Sequence, residues 1–110
     1  MSVRIFSYGT LQMEKVQHAL FGRLIAMQDD VLLGFRAIDL PIQDPDVLDY
    51  SGLSVHKALV PAEPDAAIPG KTLLIDESDW PALDAYEGDL YTRIQVTLAS
   101  GTPAWVYVKA

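Results

Sequence analysis

The sequence contains no cysteine, which excludes disulfides, thiolate metal sites and thiol nucleophiles together and fits a reducing compartment. Basic residues are also scarce, with eight Lys and Arg against fifteen Asp and Glu and a formal charge of −7. A grip on phosphate backbones or anionic lipid needs clustered Lys and Arg, so neither nucleic acid nor a membrane is an expected partner. No apolar run reaches the length of a membrane span. The two histidines, His18 and His56, have no ligand-spaced partner. There is no HExxH, no GxSxG elbow, no Walker loop and no dinucleotide fingerprint, so metals, a serine triad and nucleotide cofactors drop out. "DPDVLD" from Asp44 superficially resembles a calcium loop. Its sixth position, however, holds Asp49 instead of glycine and its twelfth holds Val55 instead of glutamate, so it reads as a solvated acidic loop.

What is present is an ordinary globular composition, half hydrophobic and 21% charged over 110 residues. That length and balance fit a single domain, 1–110, with one core. The N-terminus lacks the pattern of a signal peptide, because "VRIFSYG" already alternates as a strand, and a cytoplasmic protein is expected.

The pattern predicts a first strand over Val3 to Tyr8 ending at Gly9, then a short helix over Met13 to Phe21, closed by Gly22, with Val16, Ala19 and Leu20 on its buried face. "LIAM" and "VLLGFRAIDL" read as β segments separated by a turn at Gln28 to Asp30, and another strand follows at His56 to Val60. "PIQDPDVLDYSG" and "PAEPDAAIPG" read as loops, and "KTLLID" as a strand. Ser78 or Asp79 can cap a helix that runs to Tyr86 or Glu87 before Gly88, with Pro81 in its first turn. A strand from Tyr91, with Ile94, Val96 and Leu98 alternating, turns at Ser100 to Thr102 and returns over Ala104 to Lys109. Two short helices and five to seven strands make an α+β fold, with a mostly antiparallel sheet curled toward a barrel.

Two segments carry candidate chemistry. In "FSYGTLQ" the chain leaves a strand, turns at Gly9 and heads into a helix. Gly9 has no Cβ to hold a ligand away, and the N–H groups from about Thr10 onward can converge on a carboxylate or phosphate. An ordinary strand-to-helix turn with Tyr8 in the core is the simpler account of that segment alone. In "PALDAYEGDLYTR", a wheel at about 100° per residue puts Leu83 at about −60° from Trp80 and Glu87 at about −20°, so a carboxylate falls on the apolar stripe. Burial and the negative end of the helix both raise the pKa of such a group toward the range of general acid–base work. A helix that stops at Tyr86, leaving Glu87 in a solvated turn, fits equally. Asp84 reads as a solvated or structural helix residue.

Together, "YGTL" at Tyr8 to Leu11, "LDAYEG" at Leu83 to Gly88, "YTR" at Tyr91 to Arg93 and "AWVY" at Ala104 to Tyr107 resemble the γ-glutamylcyclotransferase-like superfamily. The resemblance is to its avirulence-induced-gene-like and γ-glutamylamine cyclotransferase branch, and it spans nearly the whole chain in the same order. It implies a small barrel-like α+β domain with one pocket and no cofactor. It also implies a small γ-glutamyl substrate, an amine or a peptide, cyclised to 5-oxoproline with release of a free amine. It assigns the glutamyl group to Tyr8, Gly9, Thr10 and Leu11, general acid–base work to Glu87, and a place near the pocket to Tyr91. Arg93 is expected to pair with a carboxylate in the fold. The chain departs from the family in "DLPIQDP" and "IPGKTLLID", and it ends at Ala110 where several enzymatic members carry an extension, so the substrate stays open. A non-catalytic module of the same fold that binds or senses a small anion is the alternative, and a monomer or a homodimer fits either.

Overall fold

The computed structural model describes residues 2–41 and 55–110. Its centre is β1 (Ser2–Ser7), which pairs antiparallel with β5 (Ala67–Asp76) and parallel with β7 (Pro103–Lys109). Outside these lie β2 (Met27–Leu33) on β5 and β6 (Tyr91–Thr97) on β7, both antiparallel, giving a five-stranded sheet in the order β2-β5-β1-β7-β6. A separate hairpin, β3 (Phe35–Pro41) with β4 (Val55–Pro61), lies against β5 and β7. The mostly antiparallel α+β architecture is therefore as expected, with the sheet covered by packing of the hairpin.

Alternation along the strands divides the core in two. Ile5, Leu73, Ile75 and Tyr107 point to one face, where α1 (Glu14–Phe21) and α2 (Trp80–Glu87) contribute Val16, Phe21 and Leu83. Phe6, Val106 and Val108 point to the other, against Leu32 and hairpin residue Leu59. No helix among the described residues is long and apolar enough to cross a membrane.

Four sequence expectations are corrected. On α1 the buried residues are Val16, Gln17 and Phe21, while Ala19 is exposed and Leu20 only partly covered. Gln17 tolerates burial because its side chain donates to the Leu11 carbonyl and accepts from the Ile25 N–H, each at 2.9 Å, so neither end of the amide is orphaned. The strand expected at "LIAM" begins only at its last residue, Met27, and the "QDD" segment is inside β2, where Asp29 faces and ion-pairs Lys71. The reversal comes instead at Gly34, whose φ of +84° suits glycine. The last four residues of "PAEPDAAIPG" belong to β5. Pro69 is tolerated there because β1 ends opposite Lys71, leaving β5 paired only with β2 at that point. Finally, α2 is preceded by a 3-10 turn, Glu77–Asp79. The Asp76 carboxylate takes the Ser78 N–H at 3.0 Å and the Asp79 carboxylate takes the Asp76 N–H at 2.9 Å, so Asp79 serves that turn and not α2. Apart from Pro41, the acidic loop "PIQDPDVLDYSG" lies outside the described residues.

Gly70 is where neighbouring strand atoms leave no room for a side chain. A Cβ there would sit 2.4 Å from the Ser7 carbonyl oxygen and 2.5 Å from the Phe6 ring. Gly70→Ala should therefore destabilise the fold by about 1–3 kcal/mol, the usual range for overpacking. Urea unfolding measures this, and an unchanged midpoint would contradict the contact.

Candidate active site

The two segments singled out in the sequence meet in one cavity. After β1, Tyr8 and Gly9 lead into a 3-10 turn, Thr10–Gln12, closed by Gln12 N–H on the Gly9 carbonyl at 3.2 Å and Met13 N–H on the Thr10 carbonyl at 3.0 Å. The Gln12 side chain ties the turn back to the Ser7 carbonyl at 2.8 Å. As at any helix start, the leading N–H groups, here Thr10 and Leu11, find no carbonyl within the turn. A Cβ on Gly9 would meet no atom within 4 Å, so the backbone there faces open space.

The cavity measures about 340 Å³, room for a small metabolite, and its lining includes Tyr8, Gly9, Thr10, Leu11, Glu87 and Tyr91. The structure thus brings together all six residues that the sequence singled out. It also adds Lys57 and Tyr107, which the sequence reading missed. Lys57 was hidden because a lone lysine on a strand looks like a solvated one, and Tyr107 because it fits an apolar alternation.

Glu87 ends α2, whose last turn is closed by the Gly88 N–H on the Asp84 carbonyl at 2.9 Å, so the helix does continue through Glu87. The residue keeps some accessible surface where it opens on the cavity, yet protein surrounds its carboxyl group and burial pushes the pKa from 4.5 up to about 7. The surrounding hydroxyls offer no compensation. Tyr8 donates its proton to the Tyr107 carbonyl at 2.7 Å, Tyr91 to the Lys57 carbonyl at 2.9 Å and Tyr107 to the Asp84 carboxylate at 2.6 Å. Among the described residues the Glu87 carboxyl receives no hydrogen bond and no cation. Burial, followed by the Glu87 charge, raises Tyr8 well above the usual phenol range and Tyr91 to about 12. Tyr107 is raised by burial first and then by the Asp84 carboxylate. The phenols therefore stay protonated, and Glu87 is the group in the cavity whose charge changes near neutrality.

The last turn of α2 is held from two sides. Tyr86 and Thr10 share a hydroxyl hydrogen bond of 2.6 Å, which joins Glu87's neighbour to the loop. One turn back, Asp84 takes the Tyr107 proton and pairs with Arg93 at 3.2 Å. The Arg93 guanidinium also lies over the Trp80 ring, 4.0 Å from its centroid, and Trp80 meets Trp105 edge to face. Arg93 thus pairs with a carboxylate, as expected, and Asp84 is a structural residue.

Fold and cavity define a small α+β domain that encloses a titratable carboxyl opposite an amide-bearing turn. Residues 5–110 match the family described as gamma-glutamyl cyclotransferase, AIG2-like, and the chain belongs to that family. Solved structures share the fold. A protein from Arabidopsis thaliana superimposes with a TM-score of 0.74 at 20% identity, over 99% of this chain and 62% of its own. A protein named gamma-glutamyl cyclotransferase gives 0.75 at 16%, over 100% and 68%. An uncharacterized protein from Homo sapiens gives 0.77 at 18%, over 99% and 67%. No curated protein matches the chain in sequence. At these identities the likeness carries the fold alone.

A raised carboxyl pKa predicts a signed pH effect. Folding favours the protonated form of Glu87, so its contribution is fully present below pH 4.5 and is lost as pH rises through about 7. The loss is on the order of 3 kcal/mol, from the size of the shift at about 1.4 kcal/mol per unit. Glu87→Gln should abolish that loss, so the variant gains on wild type between pH 4.5 and pH 8 in denaturant unfolding. Parallel pH curves would contradict the assignment.

Proposed function

We propose that this domain is a γ-glutamyl cyclotransferase acting on a γ-glutamyl amine or γ-glutamyl peptide. The observation that carries the reading is the desolvated Glu87 carboxyl sharing a cavity with the Tyr8 to Leu11 turn.

The reaction follows from that pairing. The glutamyl carboxylate rests on the Thr10 and Leu11 N–H groups of the turn, which places the substrate ammonium and the γ-carbonyl toward Glu87. Ionised Glu87, poor in hydrogen-bond donors, takes a proton from the ammonium. The freed α-amine attacks the γ-carbonyl carbon, and a C–N bond forms as the ring closes. Glu87 returns its proton to the departing nitrogen and the original amide C–N bond breaks; the ring nitrogen, which still carries two hydrogens, passes one through Glu87 to the released amine, and 5-oxoproline and the amine, as its ammonium ion, leave. No enzyme nucleophile is required, because closure of a five-membered ring within one bound molecule supplies several kcal/mol through positioning alone. A group with a pKa near the working pH serves as both base and acid.

Incubation with γ-glutamyl amines, γ-glutamyl dipeptides and glutathione, followed by measurement of 5-oxoproline, tests the reading. Wild type should cyclise at least one of these, with a rate that rises as pH increases through about 7. Glu87→Gln should lose roughly a hundredfold or more, the typical share of acid–base catalysis. Equal activity in the variant would refute the role of Glu87. Binding of a γ-glutamyl compound without turnover by wild type would identify an anion-binding or sensor domain instead.

A further inference from the structure

Where the β3–β4 hairpin meets the five-stranded sheet, both Ala58 and Leu59 of β4 are buried. Leu59 is fully buried in the core beneath the hairpin, and Phe35 packs on the same cluster. Two residues beyond the Ala37–Leu59 pair, Asp39 and Lys57 stand directly opposite one another in register, Lys57 on the side of β4 that carries Leu59. A strand with one buried face reserves such positions for apolar residues. Charge is accommodated here because this part of the hairpin has passed beyond the core, and Lys57 lines the cavity.

The two side chains form an ion pair, and both are more than half exposed, 57% for Lys57 and 64% for Asp39. A pair so wetted is weak and readily exchanged. The backbone beneath it is fixed, since the Tyr91 hydroxyl donates to the Lys57 carbonyl at 2.9 Å. A firm strand therefore holds a cation on a flexible stem at the mouth of the cavity. Among the described residues that line the cavity, Lys57 is the one cation and Glu87 the one carboxyl group.

We infer that Lys57 selects the departing half of the substrate. The domain favours γ-glutamyl compounds whose leaving amine bears a carboxylate, as in a γ-glutamyl dipeptide, over γ-glutamyl alkylamines, and that carboxylate replaces Asp39 on the Lys57 ammonium. The inference rests on the cyclotransferase reading. With the glutamyl end on the Gly9 to Leu11 turn and the scissile amide at Glu87, the departing half is what projects to the mouth. Asp39 then acts as a competitor that the substrate carboxylate must displace, and it moderates the preference that Lys57 confers.

The test compares γ-glutamylalanine with γ-glutamylethylamide, which differ by the carboxylate alone. Binding is measured calorimetrically to the Glu87→Gln protein, which does not consume them. The dipeptide should bind roughly fivefold more tightly, in keeping with a solvent-exposed pair, and added salt should narrow the ratio. Lys57→Gln should bring the ratio close to one, and Asp39→Asn should widen it. Equal binding of the two probes, no binding of either, or a ratio unchanged by Lys57→Gln would overturn the assignment. The enzymatic reading is scored separately, by 5-oxoproline release from protein with Glu87 intact. A ratio that obeys Lys57 without any cyclisation would uphold the carboxylate site and refute the enzyme.

Discussion

The geometry of the site depends on how the last turn of α2 is fixed. Asp84 is held by the Tyr107 hydroxyl and the Arg93 guanidinium, and Tyr86 by Thr10. These contacts reach to both sides of Glu87, one to the β6–β7 pair and one to the loop after β1. They also commit the Tyr107 proton to Asp84. The Tyr8, Tyr91 and Tyr107 protons are committed elsewhere, so none of these hydroxyls stabilises a carboxylate at Glu87, and burial raises its pKa. The same network that positions the group therefore also tunes it.

The central strand gives this arrangement its reach. β1 lies between β5 and β7, so its C-terminal end delivers Tyr8 and Gly9 beside Tyr107 on the neighbouring strand. The parallel pairing of β1 with β7 brings together segments separated by nearly the whole chain. The hairpin closes the other side of the cavity and contributes Lys57. In this picture the two charged groups of the described lining divide the work proposed for them, Glu87 at the reacting amide and Lys57 at the mouth.

Much of this was legible in the sequence because it rests on local pattern. The alternation of "VRIF" and of "IQVTL", the turn at "SGT", and the carboxylate on the apolar stripe beside Trp80 and Leu83 each record one face of one element. The misreadings arose where a tertiary partner overrides local chemistry. "QDD" looks like a turn, yet it forms part of an edge strand whose acidic groups are answered by Lys71 and by Ser100, the latter donating to Asp30 at 2.6 Å. Gln17 looks exposed but is buried, because Leu11 and Ile25 supply its partners. Lys57 could not be recognised as a lining residue until the packing of the hairpin against the sheet brought it to the cavity that holds Glu87.

The central claim is that Glu87 is a desolvated carboxyl whose charge changes near neutral pH. The most direct measurement is a carbon-13 NMR titration of the glutamate side-chain carboxyl resonances, with Glu87→Gln used to assign the signal. A midpoint near 7 for the Glu87 resonance agrees with the account. A midpoint near 4.5, the ordinary value for a solvated glutamate, contradicts it.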